Sequence, residues 1–371
     1  MLQSFVDSAF ISALITVAVA LLAALLLVFT KGWHGLHTMD FHTGIQTFHT
    51  VPTPRVGGIA IVLGALVGYS LTDPAKKALL GPLILAGIPA LVFGLLEDIT
   101  QRLSVRTRLL ATMSCGVLGW AITGCSITDA NMPGLDWLLG FTLVSVVFTA
   151  FALAGVANAI NIIDGLNGLA AGTVLVILAA FGVITSAFGD HDLSRVCLIL
   201  GGAVFGFLLV NWPLGKVFMG DGGAYFIGFA LGWLAVLILQ RHSEVSAWAP
   251  VLACGYPILE VLFSIARRRR RNLSPGNADR LHLHSLVKRR MVRFLLPRAS
   301  NLARNSLTGA IMWTAAIVPA VISVLWPTQS LMLVLGFLVC AILYSAVYAR
   351  LTQFRWCVSP ATLVLKPVKT V

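Results

Sequence analysis

The sequence predicts an all-α, polytopic integral membrane protein with about eleven transmembrane helices, and three observations carry that prediction. Hydrophobic residues make up 58% of the 371-residue chain and charged residues only 11%, where a soluble fold of this length needs far more polar surface. Apolar segments recur from end to end, each near the roughly 20 residues that cross a hydrocarbon core of about 30 Å. Lys and Arg nevertheless total 26 against 14 Asp and Glu, a net charge of +12 on a chain that mostly avoids charge. The location of that excess is the first functional clue.

Read between breaks, the apolar runs fall at 8–30, 56–72, 79–96, 109–127, 137–156, 169–188, 196–212, 224–240, 248–266, 307–325 and 331–349. Residues 158–164, Pro257 and Pro319 are expected to interrupt or kink helices where packed protein or water satisfies the backbone. Residues 1–8 carry Asp7, and there is no Lys or Arg before Lys31, so the first run reads as a span and not as a cleaved signal. Counting Lys and Arg in alternate loops puts 22 of 26 on one side, leaving Lys76, Lys77, Arg195 and Arg241 on the other. The positive-inside rule then sets the N-terminus outside and the C-terminal tail, with Arg350, Arg355, Lys366 and Lys369, in the cytoplasm. The whole of 1–371 reads as one transmembrane domain whose longest loop, 267–306, is cytoplasmic and basic. Six cysteines without CxxC spacing give neither a disulfide framework nor a zinc site.

The acids divide by side. Asp7, Asp73, Asp129, Asp136, Asp190, Asp192 and Glu244 fall in short outer segments, where solubility explains them. Asp40, Glu97, Asp98, Asp164, Asp221 and Asp279 fall on the cytoplasmic side, with Glu260 inside the ninth run. Glu97 and Asp98 close the third run at the membrane boundary, where paired carboxylates invite a metal or basic partners. A helix-end ion cluster with Arg102, Arg106 or Arg108 is the plainer alternative.

In NAINIIDGLNGLAAG, Asn158, Asn161 and Asp164 follow at i, i+3 spacing, so on a helix they share one side. With Asn167 they are costly in an apolar stretch unless a ligand or a polar helix-packing seam satisfies them. NWPLGKVFMGDGGAYFIG supplies Lys216, Phe218 and Asp221, the acid flanked by glycines and sterically open to a hard cation with water and phosphate co-ligands. Simple turn chemistry also accounts for Asp among Gly. The loop after the ninth run opens with five Arg, which would anchor the helix end at an anionic leaflet. It then reads ADRLHLHS, where His282 and His284 face the same way if the chain is extended, beside Arg280. Two donors and a cation suit a diphosphate, and surface placement is the alternative.

These cytoplasmic pieces, in this order over residues 49–284, resemble the polyprenyl-phosphate N-acetylhexosaminyl-1-phosphate transferases. HTVPTPRVGG, with Arg55, is similar to that family's TPRxGG segment, GLLEDI to its acidic pair, and NAINIIDGLNGL to its NxxNxxDGxxGL motif. FMGDGGA is similar to FxGDxGS, and PILEVLFSIARR to the helix before an HxHH loop. Four positions depart from the pattern: Glu97 where the pair is usually two Asp, Asn167 where an acid is common, Ala224 for Ser, and Ser285 at the third histidine. HLHS with TPRVGG looks closer to the N-acetylglucosamine-type branch than to the muramoyl-pentapeptide branch.

The resemblance implies transfer of a sugar 1-phosphate from a UDP-N-acetylhexosamine to undecaprenyl phosphate at the bacterial cytoplasmic membrane, with release of UMP and the start of a lipid-linked envelope glycan. It implies Mg²⁺, with Mn²⁺ as a substitute, held by Asp221 and Asp164. Glu97, Asp98, Asp164, Asp221, His282 and His284 are the implied catalytic residues. Arg55, Asn158, Asn161, Asn167, Lys216, Phe218 (a face for uracil) and Arg280 are the implied substrate contacts. Anionic lipids are expected at the basic loop, a homodimer is left open, and nucleic acid is not expected. A transporter, or a catalytically idle lipid-phosphate-binding relative, is the alternative reading.

Overall fold

The computed structural model describes residues 2–39, 52–270, 272 and 281–353, with side chains described except at 2–9, 36 and 37. Its helices are α1 (Leu2–Phe29), α2 (Lys31–Thr38), α3 (Gly58–Leu71), α4 (Pro74–Thr100), α5 (Val105–Thr123), α6 (Pro133–Leu139), α7 (Thr142–Ile163) and α8 (Leu169–Ala187). They continue as α9 (His191–Asn211), α10 (Gly220–Arg241), α11 (Trp248–Ala253), α12 (Gly255–Arg270), α13 (Leu283–Val287), α14 (Arg293–Leu295), α15 (Asn301–Leu325) and α16 (Ser330–Thr352). A π-helical turn, Lys288–Val292, joins α13 to α14. Among the described residues there is no strand, only an isolated antiparallel bridge between Met39 and Pro54.

Among the described residues eight helices are long and apolar enough to cross a membrane: α1 from Phe10, α4, α7, α8, α9, α10, α15 and α16. The chain is therefore an all-helical, multi-pass membrane protein. Each of the eleven predicted segments lies on a helix, but three fall outside this set. α3 has only 14 residues, α5 includes Arg106 and Arg108, and the ninth segment breaks at Cys254 into α11 and α12. Eight is the number that length and composition alone support. Pro257 fits that break, because it has no N–H to offer the Ala253 carbonyl four residues earlier, where α11 ends. It sits in the first turn of α12, where a missing N–H costs nothing, and Pro319 lies within a continuous α15. The loop predicted at 267–306 is itself partly helical, since α12 runs to Arg270 and α13 to the start of α15 occupy 283–301.

Local chemistry accounts for the shifted boundaries. Asp73 accepts the Lys76 N–H and Pro74 opens α4, so that helix starts five residues before the apolar run. Ser104 accepts the Thr107 N–H at 3.1 Å and Gly124 closes α5 in the left-handed region, which slides the helix toward its N-terminus and carries Arg108 into it. Asp190 and Ser300 cap α9 and α15 in the same way, from Leu193 N and Ala303 N at 3.1 Å each.

α10 is the axis of the molecule, packed by α3, α4, α5, α7 and α8. Almost all its residues are buried, including Phe226, Phe229 and Trp233. Hydrophobicity does not drive helices together in lipid, so close backbone approach must. At Gly94 a Cβ would lie 2.4 Å from Gly222 Cα, so only glycine lets the end of α4 meet the start of α10. That approach carries Asp98 to the α10 N-terminus.

The segments expected outside are more ordered than solubility requires. Asp190 is buried between Arg241, which donates to its Oδ2, and His242 Nε2 at 3.2 Å. Buried Lys76 pairs with Asp73 and, at 3.1 Å, with Asp192. These acids fasten α9 to α10 and to α4, which corrects their reading as solubilising charge.

Candidate active site

Four chain segments converge on the first turn of α10. The TPRVGG segment arrives by backbone pairing: Phe218 N–H donates to Pro54 O at 2.8 Å, Gly57 N–H to Phe218 O at 2.8 Å, and Gly58 N–H to Met219 O at 2.9 Å. Arg55 is thereby held over the acid cluster. Gly220 turns the chain with φ +72°, and a Cβ there would stand 1.7 Å from Arg55 O, so the residue is glycine for both reasons.

The two acids at the end of α4 do different work. Asp98 is buried, and its Oδ1 and Oδ2 accept the N–H groups of Asp221 at 2.8 Å and Gly222 at 2.9 Å. It satisfies two donors that a helix start leaves open and puts negative charge at the positive end of the helix. Arg55 Nε lies 3.9 Å away. Glu97 instead accepts the Leu103 N–H at 2.7 Å and faces Arg108 at 3.7 Å. Asp164, just past the end of α7, accepts the Gly220 N–H at 3.1 Å.

Asp221 is 4% exposed and stands among cations. Arg108 donates to its Oδ2, Arg55 Nη2 lies 3.6 Å from Oδ1, and Asn161 Nδ2 donates to Oδ1 at 2.9 Å. Tyr225, one turn along α10, donates to Asn161 Oδ1 at 3.3 Å, so Asn161 is oriented from both sides. Asn158 is half-buried one turn earlier on α7. Thus Glu97, Asp98, Asp164, Asp221, Arg55 and Asn161 meet, as the motifs suggested.

Other predicted contacts lie elsewhere or are differently employed. Asn167 is fully buried and its amide is occupied: Nδ2 donates to Ser306 Oγ at 3.0 Å and Pro213 O at 3.4 Å, while Oδ1 accepts from Asn305 at 3.2 Å. It is a polar knot tying the DGLNG turn to α15, in place of the substrate contact expected. Phe218 is 5% exposed, so its ring belongs to the core and does not present an open face for a base. Lys216 is exposed. His282 and His284 are buried, their rings stacked 5.4 Å apart and within 3° of parallel. His284 lies on the acid cluster's flank, since a Cβ on Gly165, next to Asp164, would lie 3.7 Å from its Nε2. Arg280 lies outside the described residues, as do Asp40 and Asp279.

Three participants escaped the sequence reading. Arg108 was grouped with Glu97, but its closest partner is Asp221, 113 residues away. Tyr225 and the Glu260–His282 pair were also missed. A lone tyrosine four residues after Asp221 on an apolar helix, and a glutamate alone in a span, were the available signals.

The family model described as glycosyl transferase family 4 matches residues 80–239. A Bacillus subtilis protein named as a probable undecaprenyl-phosphate N-acetylglucosaminyl 1-phosphate transferase is 28% identical over 271 residues, covering 73% of this chain and 74% of its own. The decaprenyl-phosphate N-acetylglucosaminephosphotransferase of Mycolicibacterium smegmatis is 28% identical over 304 residues, covering 72% and 73%. The phospho-N-acetylmuramoyl-pentapeptide-transferase of Moorella thermoacetica is 30% identical over 253 residues, covering 62% and 75%. The matched region carries Glu97, Asp98, Asn161, Asp164 and Asp221 in one cluster at a helix start. The chain belongs to glycosyl transferase family 4, among the polyprenyl-phosphate N-acetylhexosamine-1-phosphate transferases.

Proposed function

We propose that this protein transfers an N-acetylhexosamine 1-phosphate, foremost N-acetylglucosamine 1-phosphate, from a UDP-sugar to undecaprenyl phosphate on the cytoplasmic side of the bacterial inner membrane. The carrying observation is the charge balance of the cluster. Among the described residues the cluster sets four carboxyl groups, Glu97, Asp98, Asp164 and Asp221, against two guanidinium groups, Arg55 and Arg108. A divalent cation complements that excess of carboxyls. Among the described residues no three His, Cys, Asp or Glu side chains gather into a protein-only metal cage. Mg²⁺ suits such a site, because it prefers hard oxygens and takes one or two carboxylates together with substrate phosphates and water. Asp221 and Asp164 would hold it, and when bound it would neutralise diphosphate oxygens.

The chain's own residues then position two polyanions. A phosphate oxygen of the lipid attacks the β-phosphorus of the UDP-sugar, a new P–O bond forms, and the bond to the bridging oxygen breaks so that UMP leaves. The lipid phosphate is largely ionised near neutral pH, its second pKa being about 6, so no strong base is needed. Arg55 and Arg108 supply fixed positive charge beside Asp221, in line with phosphoryl transfer governed by placement and electrostatics. Asn161 is oriented for a nucleotide or sugar contact, and the stacked His282 and His284 flank the site for the diphosphate. The cytoplasmic placement is supported by the excess of basic residues on that side.

Purified protein in nanodiscs, given UDP-N-acetylglucosamine and Mg²⁺, should release UMP only when undecaprenyl phosphate is added. Release without the lipid, which would make water the acceptor, overturns the proposal, and so does no release with any UDP-N-acetylhexosamine, which leaves the idle lipid-binding relative.

A further inference from the structure

We propose that Glu260 is a positioning residue for His282, fixing which ring nitrogen carries the proton and which is left to work. This inference rests on the function proposed above for its kinetic part alone.

Glu260 lies on α12 and has no exposed surface. Its Oε1 is 3.0 Å from His282 Nδ1 and accepts the Leu283 N–H at 3.1 Å. An ionised carboxylate can only accept, so Nδ1 is the protonated nitrogen and Nε2 is free to accept or, once protonated, to donate. The backbone bond to Leu283 fixes the ring's attachment point as well as the ring.

A second anchor lies on the same face of α12. Glu260, Ser264 and Arg267 follow at i, i+4 and i+7. Arg267 Nη1 donates to Leu281 O at 3.1 Å and to Tyr348 Oη at 3.2 Å, and Nη2 to Ser264 Oγ at 3.3 Å. Residues 281–283 are thus held on both sides of His282. From there the ring stack passes the constraint to His284, beside Gly165 and the acid cluster. A buried carboxylate is costly unless it is well paired. Leucine would fit a purely packing position at lower cost, so the retained charge is explained by what it does to the ring. An acid that holds a working histidine's tautomer acts through the histidine and not on substrate.

The test has two arms. Solid-state NMR of ¹⁵N-histidine-labelled protein in nanodiscs, with His282→Ala for assignment, should give a protonated Nδ1 in His282. A bare Nδ1 overturns the proposal, and this readout needs neither a variant of Glu260 nor activity. In the kinetic arm Glu260→Leu should lower turnover by about 10- to 100-fold. Glu260→Gln, which keeps an acceptor oxygen, should restore most of it. In the His282→Ala background Glu260→Leu should cost nothing further, because a residue acting only through His282 has nothing left to act on. Wild-type turnover in Glu260→Leu, or losses that multiply in the double variant, overturns the proposal. Absence of transfer in the wild type would count against the proposed function and leave the NMR result standing.

Discussion

Asp98 and Glu97 are neighbours in sequence, and replacing each carboxylate by its amide should have unlike consequences. In Asp98→Asn the side chain keeps one acceptor oxygen where two N–H groups, at 2.8 and 2.9 Å, now find a carboxylate. One of the two bonds is lost and an amide NH₂ is turned toward a peptide donor. A hydrogen bond to a charged group contributes about 1.5–3 kcal/mol, and the lost charge at the helix start adds about 0.5–1 kcal/mol. Together these give a local loss of about 3 kcal/mol, or roughly a hundredfold at 1.4 kcal/mol per decade. The assay is amide hydrogen exchange by mass spectrometry in nanodiscs, on the peptide that covers the first turn of α10. Exchange there should rise about a hundredfold, with the middle of α10 unchanged. Glu97→Gln should leave the same peptide unchanged, because Glu97 bonds to Leu103 N and not to α10. Unaltered exchange in Asp98→Asn, or an equal effect from Glu97→Gln, would refute the division of labour drawn between the two acids.

Three further outcomes follow from the same geometry. Asp221→Asn should lower UMP release by about 10³-fold while the melting temperature stays near wild type, since Asn161 and both arginines remain; retention of turnover would remove Asp221 from the centre of the site. Gly220→Ala should abolish activity and lower the melting temperature, because a Cβ at φ +72° meets Arg55 O at 1.7 Å; Gly155→Ala, which opens onto empty space, is the silent control. Burial alone raises the Asp190 carboxyl, but hydrogen bonds from Arg241, Leu193 N–H and His242 outweigh it and hold the group below the ordinary carboxylate value. Its stabilising contribution is therefore present above the unfolded pKa of about 4 and is lost as pH falls below that. Melting curves of Asp190→Asn should show a lower transition at pH 7 and a smaller further drop on acidification than wild type.

Hydropathy placed a helix under each of the eleven apolar runs, because membrane insertion is a sum of local transfer energies that a window of sequence already contains. Three of those helices are too short, too charged or too broken to qualify as spans by length and composition, since a boundary depends on caps such as Ser104 and on breaks such as Cys254. The polar motifs were legible for a related reason: an acid or amide in an apolar stretch is costly, and the sequence displays that cost directly. The partners were not legible. Asp98 meets Asp221 N across 123 residues, Asn167 meets Ser306 across 139, and Glu260 meets His282 across a 22-residue excursion. Asp98 became a helix anchor, Asn167 a packing knot and Phe218 a core residue only because α4, α7, α10 and α15 cross where they do. By itself the sequence determined the membrane class, the polar motifs and the side on which basic charge collects. The tertiary structure decided which acid binds backbone, which faces arginine and which steadies a histidine, because the partner of a buried polar group is set by the meeting of distant helices and not by its neighbours in the chain.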